Sequence, residues 1–343
     1  MDATGLLSEM LAVPSPSGGE DALAALLASR LLTAGFDVTI DGAGNVVAGW
    51  GDGPRTIALV GHLDTVAGHI AVRRDGDLLH GRGAVDAKGP LAAAIAAVSR
   101  QRRDAGFRYV VVGAVEEEST SRGARHLATT MNAPDSLVIL EPSGWDAVTI
   151  AYKGSLRLRW RIEQEHGHGA GREPSAPDRG VALVRALQDH ARATNESAGV
   201  FERVDVRVIR FDSESDGLID VATIDIGIRT PPGCDADALI EVAHSASNGG
   251  GVSVIGQEPA IRMDRSSALA RAFTRAIRSC GGAPRFKLKT GTSDLNILAP
   301  AWRCEAVAYG PGDSSLDHTP HEHISVAELE RGVEVLSRVL SEL

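Results

Sequence analysis

Through the first 150 residues, short uninterrupted apolar runs alternate with segments of helical period. Thr56-Ile57-Ala58-Leu59-Val60, Tyr109 to Val115 and Ser136 to Leu140 each read as a strand buried on both faces. Leu23, Leu26, Leu27 and Leu31 share one face of a helix predicted over Glu20 to Leu32, with Gly35 just past its end. Phe36 to Ile40 and Asn45 to Trp50 predict strands separated by the turn Asp41-Gly42-Ala43-Gly44. Gly89-Pro90 opens an alanine-rich helix to about Arg103, and Gly123 to Thr130 predicts a short one. Strands alternating with helices predict a parallel α/β sheet, which binds ligands at the carboxyl ends of its strands.

The pattern changes at about Lys153. Leu156 to Ile162 alternates strictly, as a strand with one wet face does. A Gly- and His-rich loop follows, then a helix over Arg179 to Ala193 and alternating strands over Val204 to Phe211 and Ala222 to Thr230. A helix over Ala236 to Ser247 and a strand over Gly251 to Gly256 complete a β-α-β-β-α-β order, that of a ferredoxin-like α+β domain. Helices over Ser267 to Ser279 and Val326 to Leu343 resume the first style. The expected organisation is an α/β core over residues 1–152 and 258–343, with an α+β lid inserted at 153–257.

Composition narrows the partners. A formal net charge of -10 favours neither nucleic acid nor an anionic membrane. The N-terminus lacks a secretory pattern, and no apolar run is long enough to span a bilayer. Cys234, Cys280 and Cys304 form no paired framework, so reduced thiols in a cytoplasmic protein are expected.

The candidate chemistry sits at the strand ends. His62 and Asp64 are two apart and so point the same way, the imidazole as a metal ligand and the carboxylate as its orienting partner. Asp86 lies in a loop before a helix start, Glu116-Glu117-Glu118 ends the second buried strand, Glu141 the third, and His318 comes late. Taken singly, these residues have plainer readings as a helix cap, a solvated loop or a surface turn. Together they suit a dinuclear zinc-type site, because carboxylates that converge without cations repel one another.

Five motifs carry a family resemblance along the whole chain. They are Gly61-His62-Leu63-Asp64-Thr65-Val66, Gly81 to Gly89, Glu116-Glu117-Glu118 with Gly123-Ala124, Glu141-Pro142 and Asp317-His318-Thr319-Pro320. The chain resembles the M20 family of metallo-aminoacylases and carboxypeptidases. The resemblance implies two divalent metal ions, zinc or cobalt. It places His62 and Glu141 on one, Glu118 and His318 on the other, and Asp86 between them. It implies Asp64 as the residue orienting His62 and Glu117 as general base. It also implies a dimer through the lid, whose histidine at the oxyanion is His168, with His166 as the alternative. Arg229 and the loop Thr290-Gly291-Thr292 are expected to contact substrate.

Within the family, Val112 to Glu118, Phe286 to Asn296 and Ala308 to Pro320 are most similar to hydrolases that release lysine or ornithine from an amino-group carrier protein. There the amino acid is tied by its α-amino group to the side chain of the carrier's C-terminal glutamate. Arg157, Arg159, Arg161, Arg172, Arg179 and Arg185 crowd the early lid of an acidic protein, which suits an acidic carrier. A deacylase of small N-acyl amino acids, or a carboxypeptidase, is the alternative. His321, where the family usually has Asn, and the His166-Gly167-His168-Gly169 loop depart from the subgroup pattern.

Overall fold

The apolar run before His62 forms the strand Arg55–His62, buried over its last six residues. In the computed structural model, which describes residues 1–104 and 106–343, this strand lies at the centre of the large sheet. It runs parallel to Phe107–Ala114 on one side and to Ser136–Ile139 on the other, and Glu305–Ala308 continues parallel beyond Ser136–Ile139. Antiparallel strands flank this parallel centre. Val46–Trp50 and Asp37–Ile40 lie beyond Phe107–Ala114, and Ala147–Tyr152 lies beyond Glu305–Ala308. The expected parallel sheet is therefore its centre, and the functional ends of its strands coincide.

Two glycines make that coincidence possible. Gly61 and Gly113 are register partners on adjacent strands. A Cβ on Gly113 would come within 2.6 Å of Leu63, and one on Gly61 within 3.0 Å of Leu140. Either side chain would push apart the segments that carry His62, Asp64 and Glu141.

The alanine-rich helix runs Lys88–Ser99, and every residue from Lys88 to Val98 is buried. It packs on the Arg55–His62 strand and against the helices Ala3–Leu11 and Val326–Glu342. Small side chains all round let a helix sit that deep in a core. It ends before the expected Arg103, because the polar run from Ser99 to Arg103 leaves the core. Ala3–Leu11, capped by Asp2, was not foreseen; Leu6, Leu7, Met10 and Leu11 bury its inner face.

The chain divides into two compact units, residues 1–150, 263–287 and 293–343, and residues 151–262 and 288–292. The second unit contains a four-stranded antiparallel sheet. Across it the order is Asp205–Ser215, Ile219–Thr230, Gly154–Glu165 and Gly251–Glu258. Leu156, Leu158, Trp160 and Ile162 alternate inward as their pattern requires. With Ile224, Ile226 and Ile228 they pack on Leu183 and Leu187 of the helix Ala176–Thr194 and Leu239 of the helix Ala236–Ser245. Asp205–Ser215 is an edge strand, and Val208, Ile209 and Phe211 on it are exposed. No described helix is long and apolar enough to cross a membrane.

Candidate metal centre

His62 ends its strand fully buried. Its Nδ1 lies 2.8 Å from the Asp64 backbone carbonyl, which can only accept, so Nδ1 donates and Nε2 is the nitrogen turned toward the other carboxylates. That Nε2 lies 3.1 Å from Asp86 Oδ1 and 3.8 Å from Glu141 Oε1. The other Asp86 oxygen lies 3.1 Å from Nε2 of His318, and the same nitrogen lies 2.8 Å from Glu118 Oε1. Asp86 thus presents one oxygen to each of two imidazoles. Two atoms bound to one tetrahedral ion at about 2.0–2.1 Å lie about 3.3 Å apart. These separations therefore suit ligands gathered around cations.

The donor set passes the same test on charge. Ligand atoms of His62, Glu117 and Glu141 lie within 4.8 Å of one another, as do those of His62, Asp86 and Glu118. Burial, and then the negative charge of Glu141, push the Glu117 carboxyl well above its ordinary range. Burial also opposes ionisation of Asp86. Hydrogen bonds from His318 and His62 overcome it and hold that carboxyl well below its usual range. The same carboxylates, Asp86 and Glu118, raise His318 to about 10. Hard oxygen and imidazole donors concentrated this way suit divalent zinc or a similar ion.

The glutamate triplet is sorted by its backbone. Glu116 has φ 59 and turns outward to Arg122 and Thr120. Glu117 and Glu118 turn inward, and their N–H groups donate to the two oxygens of Asp64, each at 3.0 Å. Ser17 also donates to Asp64, at 2.7 Å. The Asp64 carboxylate was expected to orient His62. It lies 3.4 Å from Nδ1, but the shorter contact is its own carbonyl, and its carboxylate mainly cradles the glutamate loop.

Two residues without an assigned part in the sequence reading belong to this neighbourhood. Glu322, buried, accepts from the backbone N–H groups of Gly83, Val85 and Asp86 at 3.1, 2.9 and 3.1 Å. It also accepts from Arg82 Nη1 at 2.9 Å, and that nitrogen donates to the Thr319 carbonyl at 3.1 Å. The loops carrying Asp86 and His318 are thereby tied together. Asp294 is buried with Oδ1 lacking a hydrogen-bond partner, and burial raises its carboxyl to about 7. The sequence signal for Glu322 was an acid at the end of the His318 motif; Asp294 lay inside the Phe286 to Asn296 motif with no part assigned to it.

The second unit holds the remaining expected residues. Arg229 Nη1 donates to Thr292 Oγ1 at 2.9 Å. Arg229, Thr290 and Gly291 line a cavity of about 360 Å³ with Ser155, Arg157 and Arg207. His168 lies in an exposed loop, where its Nδ1 accepts from the Ala170 N–H at 3.1 Å. His166 is engaged instead, 2.9 Å from Asp220. The expected basic face is partly neutralised. Arg159 forms two hydrogen bonds to Asp225, Arg161 pairs with Glu163, and Arg179 is 3.8 Å from Glu173.

A parallel α/β sheet that brings imidazoles and carboxylates together at and beside its strand ends is the architecture of a metal-dependent enzyme. The family description "Peptidase family M20/M25/M40" matches residues 58–342, and the chain belongs to that family. It is a metal-dependent hydrolase acting on an amide bond. A LysW-lysine hydrolase of Deinococcus radiodurans is 45% identical over 99% of this chain and 97% of its own. A putative LysW-lysine/LysW-ornithine hydrolase of Pyrococcus abyssi is 38% identical over 98% and 93%. In fold, the chain is similar to an M20 family metallo-carboxypeptidase from Sulfolobus solfataricus, with TM-score 0.79, 16% identity and 99% of each chain covered.

Proposed function

We propose that the protein releases lysine, ornithine or a related diamino acid from the C-terminal glutamate of an acidic amino-group carrier protein of the LysW kind. The observation that carries the chemistry is Asp86 between two imidazoles, 3.1 Å from each. The likeness to LysW-lysine hydrolases over nearly the full chain supports the substrate. In this reading His62 and Glu141 hold one ion, Glu118 and His318 the other, and Asp86 both. The ions are zinc, with cobalt as the substitute. When bound, such a pair supplies Lewis acidity to a water and to the amide carbonyl.

The chain's own residues do the rest. Glu117, half-buried beside His62 and Glu141, takes a proton from the attacking water and returns it to the leaving amine. Asp64 fixes the backbone of Glu117 and so aims the base. Arg229 with Thr290, Gly291 and Thr292 binds the carboxylate of the released amino acid. His168, not committed to an acid as His166 is, donates to the developing oxyanion. We place it in the site of the partner subunit of a homodimer formed through the lid. The exposed apolar side chains of the edge strand Asp205–Ser215 support that contact. Three free thiols suit a cytoplasmic enzyme.

The test compares kcat/KM for carrier-linked lysine and for Nα-acetyl-lysine at low and high salt. The carrier-linked substrate is expected to be far better, with an advantage that shrinks as salt rises. Equal values without salt dependence would instead establish a small-molecule deacylase.

A further inference from the structure

The cavity in the second unit has more positive charge than one carboxylate requires. Every residue lining it belongs to that unit. Arg157, Arg207 and Arg229 border it, and its one acid, Asp205, is already paired with Lys153 Nζ at 2.6 Å. Neighbouring arginines are spent: Arg159 on Asp225, Arg161 on Glu163, Arg210 on Asp212. Among the described residues, no carboxylate lies within ion-pair distance of Arg157 or Arg207.

Local backbone features favour this arrangement. The ladders of both edge strands shift register beside the cavity, between Val208 and Arg210 on one and Val254 and Gly256 on the other. Such irregularities re-aim side chains and recur at binding sites. A Cβ on Gly256 would lie 2.7 Å from Arg157 Nε, so glycine there leaves room for the guanidinium against the strand backbone.

We propose that Arg157 and Arg207 form a second carboxylate site, specific for the acyl side of the scissile amide. Its ligand is the free α-carboxylate of the carrier's terminal glutamate. The inference rests on the carrier-linked reading, because that substrate has one carboxylate on each side of the bond. Nα-acetyl-lysine has only one. A planar guanidinium pairs with a carboxylate through two parallel hydrogen bonds, which makes a pair of arginines selective for that group.

The probe is Nα-acetyl-γ-glutamyl-lysine, compared with the same compound bearing a carboxamide at the glutamate α-position. Wild-type protein is expected to favour the free carboxylate by about ten- to a hundred-fold in kcat/KM, mostly through KM. In Arg157→Gln/Arg207→Gln that ratio falls to about one. Direct titration of the full-length protein with Nα-acetyl-glutamate, the acyl-side product, should show binding at least about ten-fold weaker in the double variant. Unchanged melting temperature and Nα-acetyl-glutamate affinity in the variant would overturn the site. So would a ratio retained in the variant, or one altered only with the intact carrier. If wild-type protein cleaves Nα-acetyl-lysine best yet binds Nα-acetyl-glutamate through these arginines, the carrier-linked reading fails while the carboxylate site stands.

Discussion

Replacing Glu322 tests how a residue that touches no substrate controls the centre. Its carboxylate, 1% exposed, accepts three backbone N–H groups and one guanidinium N–H. In Glu322→Ala the three N–H groups lose their acceptor, and each buried unpaired group costs about 1–3 kcal/mol. Partial hydration lowers the sum to roughly 3–6 kcal/mol, a fall in Tm on the order of 10 °C for a unit of this size. Glu322→Gln is the sharper perturbation. It keeps the volume and one acceptor oxygen but turns an amide NH2 toward donors and leaves Arg82 without its counter-ion. The Gly83–Asp86 backbone then loosens, and Asp86 with it. Changing a residue that orients a ligand typically costs about 10–100-fold in metal affinity. Metal content by mass spectrometry and chelator competition on reloaded protein read that loss, alongside Tm with and without metal. A Glu322→Gln protein that melts early yet binds both ions at wild-type affinity would refute the claim that Glu322 acts through Asp86.

Three further outcomes are expected. Glu117→Gln should keep both ions and lose about 10²–10⁴-fold or more in turnover, while Glu118→Gln should lose one ion; the reverse pattern would shift the glutamate assignment by one residue. Asp294 stands at about 7 when folded against 3.8 in the unfolded chain. Between those values the folded state holds the extra proton, so this residue's contribution to stability falls as pH rises through the window. In metal-free protein, Asp294→Asn should therefore reduce the loss of Tm between about pH 4 and about pH 7, and an unchanged profile would count against the assignment. Mixing His168→Ala and Glu117→Ala subunits should recover up to about a quarter of wild-type activity if the histidine acts across a dimer; confirmed heterodimers without activity would place it elsewhere.

The strand ends were legible because burial on both faces leaves an uninterrupted apolar run, and whatever polar residue closes that run is exposed to the site. His62 and Glu141 follow directly from that rule. The separation of Glu116 from its neighbours did not, since a left-handed backbone at a glutamate has no compositional signal. Asp64 was legible as a partner but not in its larger part, because a carboxylate that accepts from backbone N–H groups leaves no side-chain pattern to match. Glu322 and Asp294 act by burial, and burial of a lone acid depends on elements far away in the chain. The neutralised arginines had the same cause. Asp225 opposes Arg159 across a strand pair whose register no single strand specifies.

His318 and Asp86 meet across 232 residues, with the inserted unit between them in sequence. Closing so long a loop adds little entropic cost over a shorter one, since that cost grows only logarithmically. Its consequence concerns timing. Neither segment can assemble the centre by itself, so a partly folded chain lacks the geometry that cuts amides. An amide hydrolase built this way stays silent until its own folding is complete. A metal ion held there would fasten together the two ends of a unit that had to find each other.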